Sequence, residues 1–193
     1  MSHTPYQFSH NMIEVFERSA HRLFQHFKGS KVEFLEIGVF EGQTACHMLD
    51  NYLTHGCSGY IGIEFDPVRA EKARENIRRG NHPLTKWNVV EGRSDQILAQ
   101  WSATGQIAGC FDAIYIDGDH RKEAAFLDMV LSWKFLAREG IMLFDDYKLE
   151  QSSIDPTVKF GVKEAVLNFL MTLAPSDYDI VLDDYQFAIK RLT

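Results

Sequence analysis

Two short segments concentrate the groups that could do acid–base or metal chemistry. The apolar run Phe111-Asp112-Ala113-Ile114-Tyr115-Ile116 leads into Asp117-Gly118-Asp119-His120, and Ile141-Met142-Leu143-Phe144 leads into Asp145-Asp146-Tyr147. Four carboxylates and a histidine at the ends of two apolar strands repel one another unless they are solvated, cap a helix or share a cation. Asp119 is well placed to cap the helix expected next; Asp117, Asp145 and Asp146 are not. Three oxygen ligands, with no cysteine and one histidine beside them, suit a hard cation such as Mg²⁺, which keeps waters that a substrate can replace. The alternative is an acidic cleft with no ion. His120 is either a general base or a surface histidine on the first turn of that helix.

A second group of residues suits a nucleoside. Glu36-Ile37-Gly38-Val39-Phe40-Glu41-Gly42-Gln43-Thr44 follows another apolar run. Its glycines let a ligand approach the backbone, and the helix start beyond offers free N–H groups; a tight strand-to-helix turn would use the same glycines. Three residues separate Gly38 from Gly42, whereas the dinucleotide fingerprint needs GxGxxG, so a nicotinamide site is disfavoured. Glu64, in Gly62-Ile63-Glu64-Phe65-Asp66-Pro67, can accept both hydroxyls of a ribose. The capping role at the helix opening with Pro67 suits Asp66 better than Glu64. In Gly92-Arg93-Ser94-Asp95 the polar groups either edge an adenine or Ser94 is an N-cap.

These residues need elements that bring strand ends together. Met12, Ile13, Phe16, Ala20, Leu23, Phe24 and Phe27 recur at helical spacing before Gly29, which predicts an N-terminal amphipathic helix that packs on something. His21 and His26, five apart, carry no metal role. From Val32 onward strands alternate with helices. Strands are expected at 32–37, 60–64, 87–90, 111–116 and 141–144, and helices at 44–53, 67–79, 97–101, 120–136 and 161–173. Two final strands, 178–182 and 185–189, flank an acidic turn at Asp183 and Asp184. Such alternation predicts a mostly parallel sheet covered on both faces, and the terminal hairpin puts one edge strand antiparallel to the rest. Ligands in such a sheet bind beyond the carboxyl ends of the strands. The stretch Lys148 to Phe160 has no readable element and, at that length, reads as a lid.

Composition narrows the partners. The 193 residues include 20 Lys and Arg against 27 Asp and Glu, a net charge of −7, with 45% hydrophobic and 12% aromatic residues. That is enough apolar material for one ample core. The acidic balance removes the usual driving force for binding nucleic acid or an anionic membrane, so a small-molecule partner is expected, with no nucleic acid and no membrane. Cys46, Cys57 and Cys110 have neither the even count nor the CxxC spacing of a disulfide framework or zinc site, and are expected as reduced thiols. No run approaches the roughly 20 apolar residues of a membrane span, and the leading MSHTPYQFSHNM lacks a secretory pattern. A cytoplasmic protein is expected. Residues 1–30 read as a helical extension and 31–193 as the main domain.

FLEIGVFEGQTACHML over Phe34 to Leu49, with Tyr60-Ile61-Gly62-Ile63-Glu64 and the blocks YIDGDH and LFDDY, resembles the class I S-adenosylmethionine-dependent methyltransferases. The closest type is the small O-methyltransferase branch that includes the catechol and caffeoyl-CoA enzymes. The resemblance runs from about Val32 to the C-terminus. It implies a Rossmann-like, doubly wound sheet of seven strands with an antiparallel last strand, and S-adenosylmethionine as cofactor. Glu36, Gly38, Phe40, Gly42 and Thr44 fall in the first cofactor loop, with Thr44 near the methionine carboxylate. Glu64 is the ribose-binding acid, Ser94 and Asp95 the adenine-side pair, and Asp117 borders both cofactor and metal. Asp117, Asp145 and Asp146 match the ligands of a Mg²⁺ or other divalent cation. Two departures stand out: the catechol type has Asn where this chain has Asp146, and a lysine base where it has His120. The reaction implied is methyl transfer to a hydroxyl of a small molecule, with Asp117 and His120 as the catalytic pair and a homodimer as an open possibility. The rival readings are N-methyl transfer, and a regulatory subunit that binds the cofactor without turnover.

Overall fold

In a computed structural model, the structure describes residues 5–11, 13–80, 82, 85–105, 108–151, 157 and 159–193. These fall into two compact units, Met1–Arg93 and Ser94–Thr193.

The first unit opens with α1 (Glu14–Phe24). Its apolar stripe, Phe16, Ala20, Leu23 and Phe24, is buried as the spacing requires, while Met12, counted in that stripe, lies outside the described residues. Phe24 meets Phe34 and Tyr52 edge-on, at ring separations of 6.0 and 6.4 Å, so the helix packs on the first strand and the end of the next helix. That strand, β1 (Glu33–Ile37), pairs parallel with β2 (Gly59–Glu64), and β2 with β3 (Lys86–Glu91). The buried apolar runs of β1 and β2 are those of parallel strands covered on both faces, whereas β3 buries only Val89. The crossovers are α2 (Gln43–Asn51) and α3 (Pro67–Gly80). In α3, Ala70, Ala73 and Ile77 are buried at helical spacing, and Glu71 faces solvent paired with Arg74 and Arg78.

The second unit runs α4 (Ser94–Thr104), β4 (Phe111–Ile116), α5 (Lys122–Trp133), β5 (Leu136–Phe144), α6 (Val162–Leu170), β6 (Tyr178–Asp183) and β7 (Phe187–Arg191). β4 pairs parallel with β5, β5 antiparallel with β7, and β7 antiparallel with β6. The terminal hairpin is thus present, but its antiparallel member is inserted beside β5, and the outermost strand β6 runs in the direction of β5. Several boundaries also differ from those read off the chain, and three of them bear on the site. α5 starts at Lys122 and not at His120, because the His120 carbonyl accepts the Gly161 N–H at 2.9 Å and the first helical bond comes from Ala125 N–H to the Arg121 carbonyl. β5 begins five residues early, at Leu136, across the polar stretch Arg138-Glu139-Gly140, where the register with β4 shifts. β7 begins at Phe187, which leaves Tyr185 and Gln186 in the turn. Among the described residues no helix is long and apolar enough to cross a membrane.

Candidate active site

The cofactor-type residues of the first unit gather where β1 and β2 end. Gly38 and Gly42 sit at φ 87° and 82°, a region that penalises any side chain. A Cβ at Gly42 would lie 3.1 Å from Ala73 in α3, so this glycine also lets the two helices close up. Phe40 between them takes φ 52°. A non-glycine residue there is held by its surroundings, and such positions cluster at ligand sites. The holder is Glu64, only 4% exposed: its Oε2 accepts the Phe40 N–H at 2.8 Å and its Oε1 the Asp66 N–H at 3.0 Å. Both carboxylate oxygens therefore anchor the two loops, and each keeps lone pairs for a further donor. Asp66 caps α3 as expected, its Oδ1 accepting the Val68 and Arg69 N–H groups at 2.9 and 3.0 Å.

Glu36 is placed differently from its neighbours in the motif. It is 1% exposed and accepts the Tyr60 hydroxyl, itself 1% exposed. Burial first, then the charge of Glu36, drives the Tyr60 phenol far above its ordinary range. Gly62 is needed for this contact, since a Cβ there would come within 2.7 Å of the Tyr60 hydroxyl. Thr44 stands half-buried in the first turn of α2, where Gly42 at the N-cap supplies no side-chain cap. Two residues of this region escaped the reading of the chain. Phe65, directly after Glu64, is 67% exposed, and the Arg69 guanidinium lies 4.5 Å from the centre of the exposed Phe40 ring.

In the second unit, Ser94 is the first residue of α4 and Asp95 the second, its Oδ1 accepting the Gln96 N–H at 2.9 Å. The acidic residues lie at the carboxyl ends of β4 and β5. The His120 Nε2 is 3.4 Å from Asp117 Oδ1 and 3.2 Å from Asp146 Oδ2. Asp117, His120 and Asp146 each offer an atom, all within 4.8 Å of one another, and form the one such group among the described residues. Asp145 faces another way: its Oδ2 accepts the Tyr115 hydroxyl, and its Oδ1 accepts the Gln186 Nε2 and the Asp146 N–H, both at 2.8 Å. Asp146, at φ 51°, also accepts the Tyr185 hydroxyl on Oδ1 at 2.7 Å. Asp119 is turned outward. It does not cap α5 in the expected way, because its carboxylate takes the N–H and guanidinium of Arg121, and the position before the helix is Arg121 itself.

The electrostatics follow from this crowding. Burial, then the charge of Asp145, pushes the Asp117 carboxyl up to about 7, against the opposing hydrogen bond of His120. Burial and the charge of Asp146 raise Asp145 as well, despite the donors from Tyr115 and Gln186. At His120 burial works against the charged ring, but the bond and charge of Asp117, with Asp146 and Asp145 behind, outweigh it and the pKa rises. Burial and the bond to Asp146 raise the Tyr185 phenol. Two carboxylates and an imidazole around one point, short of positive charge, are a donor set that fits a divalent cation.

The stretch read as a lid includes 152–156 and 158, which lie outside the described residues. Its ends are tied down: Gln151 bridges Lys159, the Phe160 N–H donates to the Glu150 carbonyl at 3.0 Å, and the Phe160 ring meets His120 edge-on at 4.9 Å. Tyr115, Tyr185 and Gln186 are the polar partners that the sequence reading missed. Only Tyr115 carried a signal, since two residues before Asp117 on one strand it shares that residue's face.

Comparison with known proteins bears on the family and the fold. The sequence profile of the family described as "Methyltransferase domain" matches residues 35–147, more than half of the chain. Residues of this chain are 28% identical over 129 positions to "Uncharacterized protein R132" of Acanthamoeba polyphaga mimivirus, covering 63% of this chain and 54% of that one. They are 30% identical over 112 positions to "O-methyltransferase ankF" of Aspergillus thermomutatus, covering 58% and 44%. The chain thus spans about half the length of these curated relatives. Among solved structures, the O-methyltransferase from Bacillus cereus in complex with SAH is similar at a TM-score of 0.69 and 19% identity, over 96% of this chain and 84% of that one. That likeness shows the fold, the Rossmann-like α/β class with a mostly parallel sheet of seven strands.

Proposed function

The chain belongs to the methyltransferase-domain family, and from that premise we propose that it transfers the methyl group of S-adenosylmethionine to a hydroxyl oxygen of a small molecule. The relatives named above include O-methyltransferases, one of them solved with the demethylated cofactor, which supports oxygen as the acceptor. In this reading 31–193 is the catalytic domain, 1–30 its extension, and the protein acts in the cytoplasm. Gly38, Phe40, Gly42 and Thr44 line the cofactor's path, Glu64 receives the ribose, and the exposed Phe65 ring offers a face for stacking on a base. Ser94 and Asp95 stand on the adenine side. Glu36 supports the loop from beneath through Tyr60.

The observation that carries the reading is the convergence of Asp117, His120 and Asp146 within 4.8 Å. A methyl group on a sulfonium is already activated, so the chain has to align the acceptor oxygen and accept its proton. The oxygen–carbon bond forms as the carbon–sulfur bond breaks, with that electron pair leaving on sulfur, and the hydroxyl proton passes to His120 Nε2. The carboxylates on either side of that ring stabilise it once charged. Asp117 and Asp146 would hold a divalent cation, with Asp145 adding its charge beside them; bound there, such an ion supplies positive charge that makes the acceptor hydroxyl more acidic.

The same distances favour a second reading, in which His120 is the third ligand of the cation and not the base. The test is His120→Gln, assayed for release of S-adenosylhomocysteine from a panel of hydroxylated acceptors and for Mn²⁺ binding. As the base, its loss lowers turnover about 100-fold or more and leaves Mn²⁺ affinity unchanged. As a ligand, its loss weakens Mn²⁺ binding. Full turnover of the unaltered chain after exhaustive chelation removes the cation from the reaction. Cofactor binding with no turnover on any acceptor returns the chain to a binding protein.

A further inference from the structure

The hairpin that ends the chain delivers two neutral donors to the acidic cluster. In the antiparallel pairing of β5 with β7 the last matched residues are Phe144 and Phe187. Carried one and two steps past that pair, the register sets Asp145 against Gln186 and Asp146 against Tyr185, although 41 and 39 positions separate them in sequence. The side chains meet accordingly: Gln186 Nε2 donates to Asp145 Oδ1 at 2.8 Å and the Tyr185 hydroxyl donates to Asp146 Oδ1 at 2.7 Å. The backbone joins in, with the Lys148 N–H donating to the Tyr185 carbonyl at 3.3 Å.

We propose that Tyr185 and Gln186 are positioning residues, which hold the Asp145–Asp146 pair so that Asp146 turns its Oδ2 toward Asp117 and His120 as a ligand. The inference rests on the cation reading above and goes beyond it in naming what fixes the ligand. Each donor occupies one carboxylate oxygen and leaves the charge of the pair intact. A lysine or arginine at either place would neutralise the site and compete with a dication; a phenol and an amide satisfy lone pairs without doing so. The Tyr185 bond also restrains Asp146 in its φ 51° conformation, which a non-glycine residue leaves readily when untethered. Partners of this kind, one layer behind a ligand, set metal affinity by about 10- to 100-fold.

The experiment is Mn²⁺ titration of the full chain, followed by the electron paramagnetic resonance signal of free ion, for the unaltered protein and for Tyr185→Phe. The half-buried Tyr185 ring is kept in that variant, and Gln186→Met, matched in volume, serves if it fails to fold. The expected result is a Kd for Mn²⁺ weakened by about 10- to 100-fold, with an altered spectrum of the bound ion. S-adenosylhomocysteine affinity stays as in the unaltered chain, and the metal-free melting temperature falls only by the few degrees that one lost hydrogen bond to a part-buried carboxylate costs. Mn²⁺ affinity within twofold of the unaltered chain overturns the inference while leaving the cation reading intact. No uptake of Mn²⁺ by the unaltered chain overturns both.

Discussion

Glu64→Ala separates two tasks that one carboxylate performs. In the ligand-free chain Glu64 already accepts two backbone donors, Phe40 N–H at 2.8 Å and Asp66 N–H at 3.0 Å, and it is 4% exposed. A hydrogen bond to a charged acceptor contributes about 1.5–3 kcal/mol, and removing the acceptor leaves both donors short of a partner in a part-buried turn. The two together set the loss at about 3 kcal/mol or more. For a chain of this size each kcal/mol moves the melting temperature by about 2–4 °C, so a fall of about 6–12 °C is expected without any ligand. The second task is the ribose. Loss of its hydroxyl contacts should weaken S-adenosylhomocysteine by a further 1–3 kcal/mol or so, roughly 5- to 150-fold in Kd. Glu64→Gln should fall between, since one oxygen remains and an amide N–H₂ now faces the other backbone donor. Thermal unfolding of the free chain and calorimetric titration with S-adenosylhomocysteine read the two effects independently. A free Glu64→Ala chain that melts within about 2 °C of the unaltered one refutes the anchoring argument. Unchanged cofactor affinity takes Glu64 out of the binding site.

Tyr60→Phe removes the hydroxyl that donates to buried Glu36 and should cost about 1–3 kcal/mol in urea unfolding while the core stays filled; a loss under about 0.5 kcal/mol would show that Glu36 depends on other partners. His47 has a buried Nε2 without a hydrogen-bond partner among the described residues, and a pKa lowered by burial, against the opposing charges of Glu17 and Asp50. The unfolded chain therefore binds the proton more readily, so this group's contribution to stability is complete above pH ~6.5 and is lost as pH falls below it. Asp117, whose pKa is raised, acts in the opposite sense as pH rises toward 7, which makes the difference between chains the informative quantity. His47→Gln should lose less stability than the unaltered chain between pH 6.5 and 5, and parallel stability curves would contradict this.

The strands and α-helices of the described residues were legible because most declare themselves locally. Buried parallel strands are continuous apolar runs, and Gly29, Pro67 and the glycines after β1 punctuate them. The positions of Glu64, Asp117, His120, Asp145 and Asp146 at strand ends followed from the same pattern. Where boundaries shifted, a distant partner intervened: His120 leaves α5 because Gly161, forty-one residues on in the chain, takes its carbonyl. The polar stretch at Arg138 to Gly140 hid the start of β5, whose irregular pairing tolerates it.

By itself, then, the sequence determined the order of elements, the fold class and the loops where chemistry gathers, since periodicity, charge and turn residues are local properties. Only the tertiary structure decided which side chains share an oxygen. It turned Asp145 to Tyr115 and Gln186, placed His120 against Asp117 and Asp146, and buried Glu36 under Tyr60. Those outcomes depend on strand register and on a hairpin folding back onto β5. Register is set by pairing across the whole sheet, and a slip of one residue would turn Tyr185 and Gln186 away from the acids they hold.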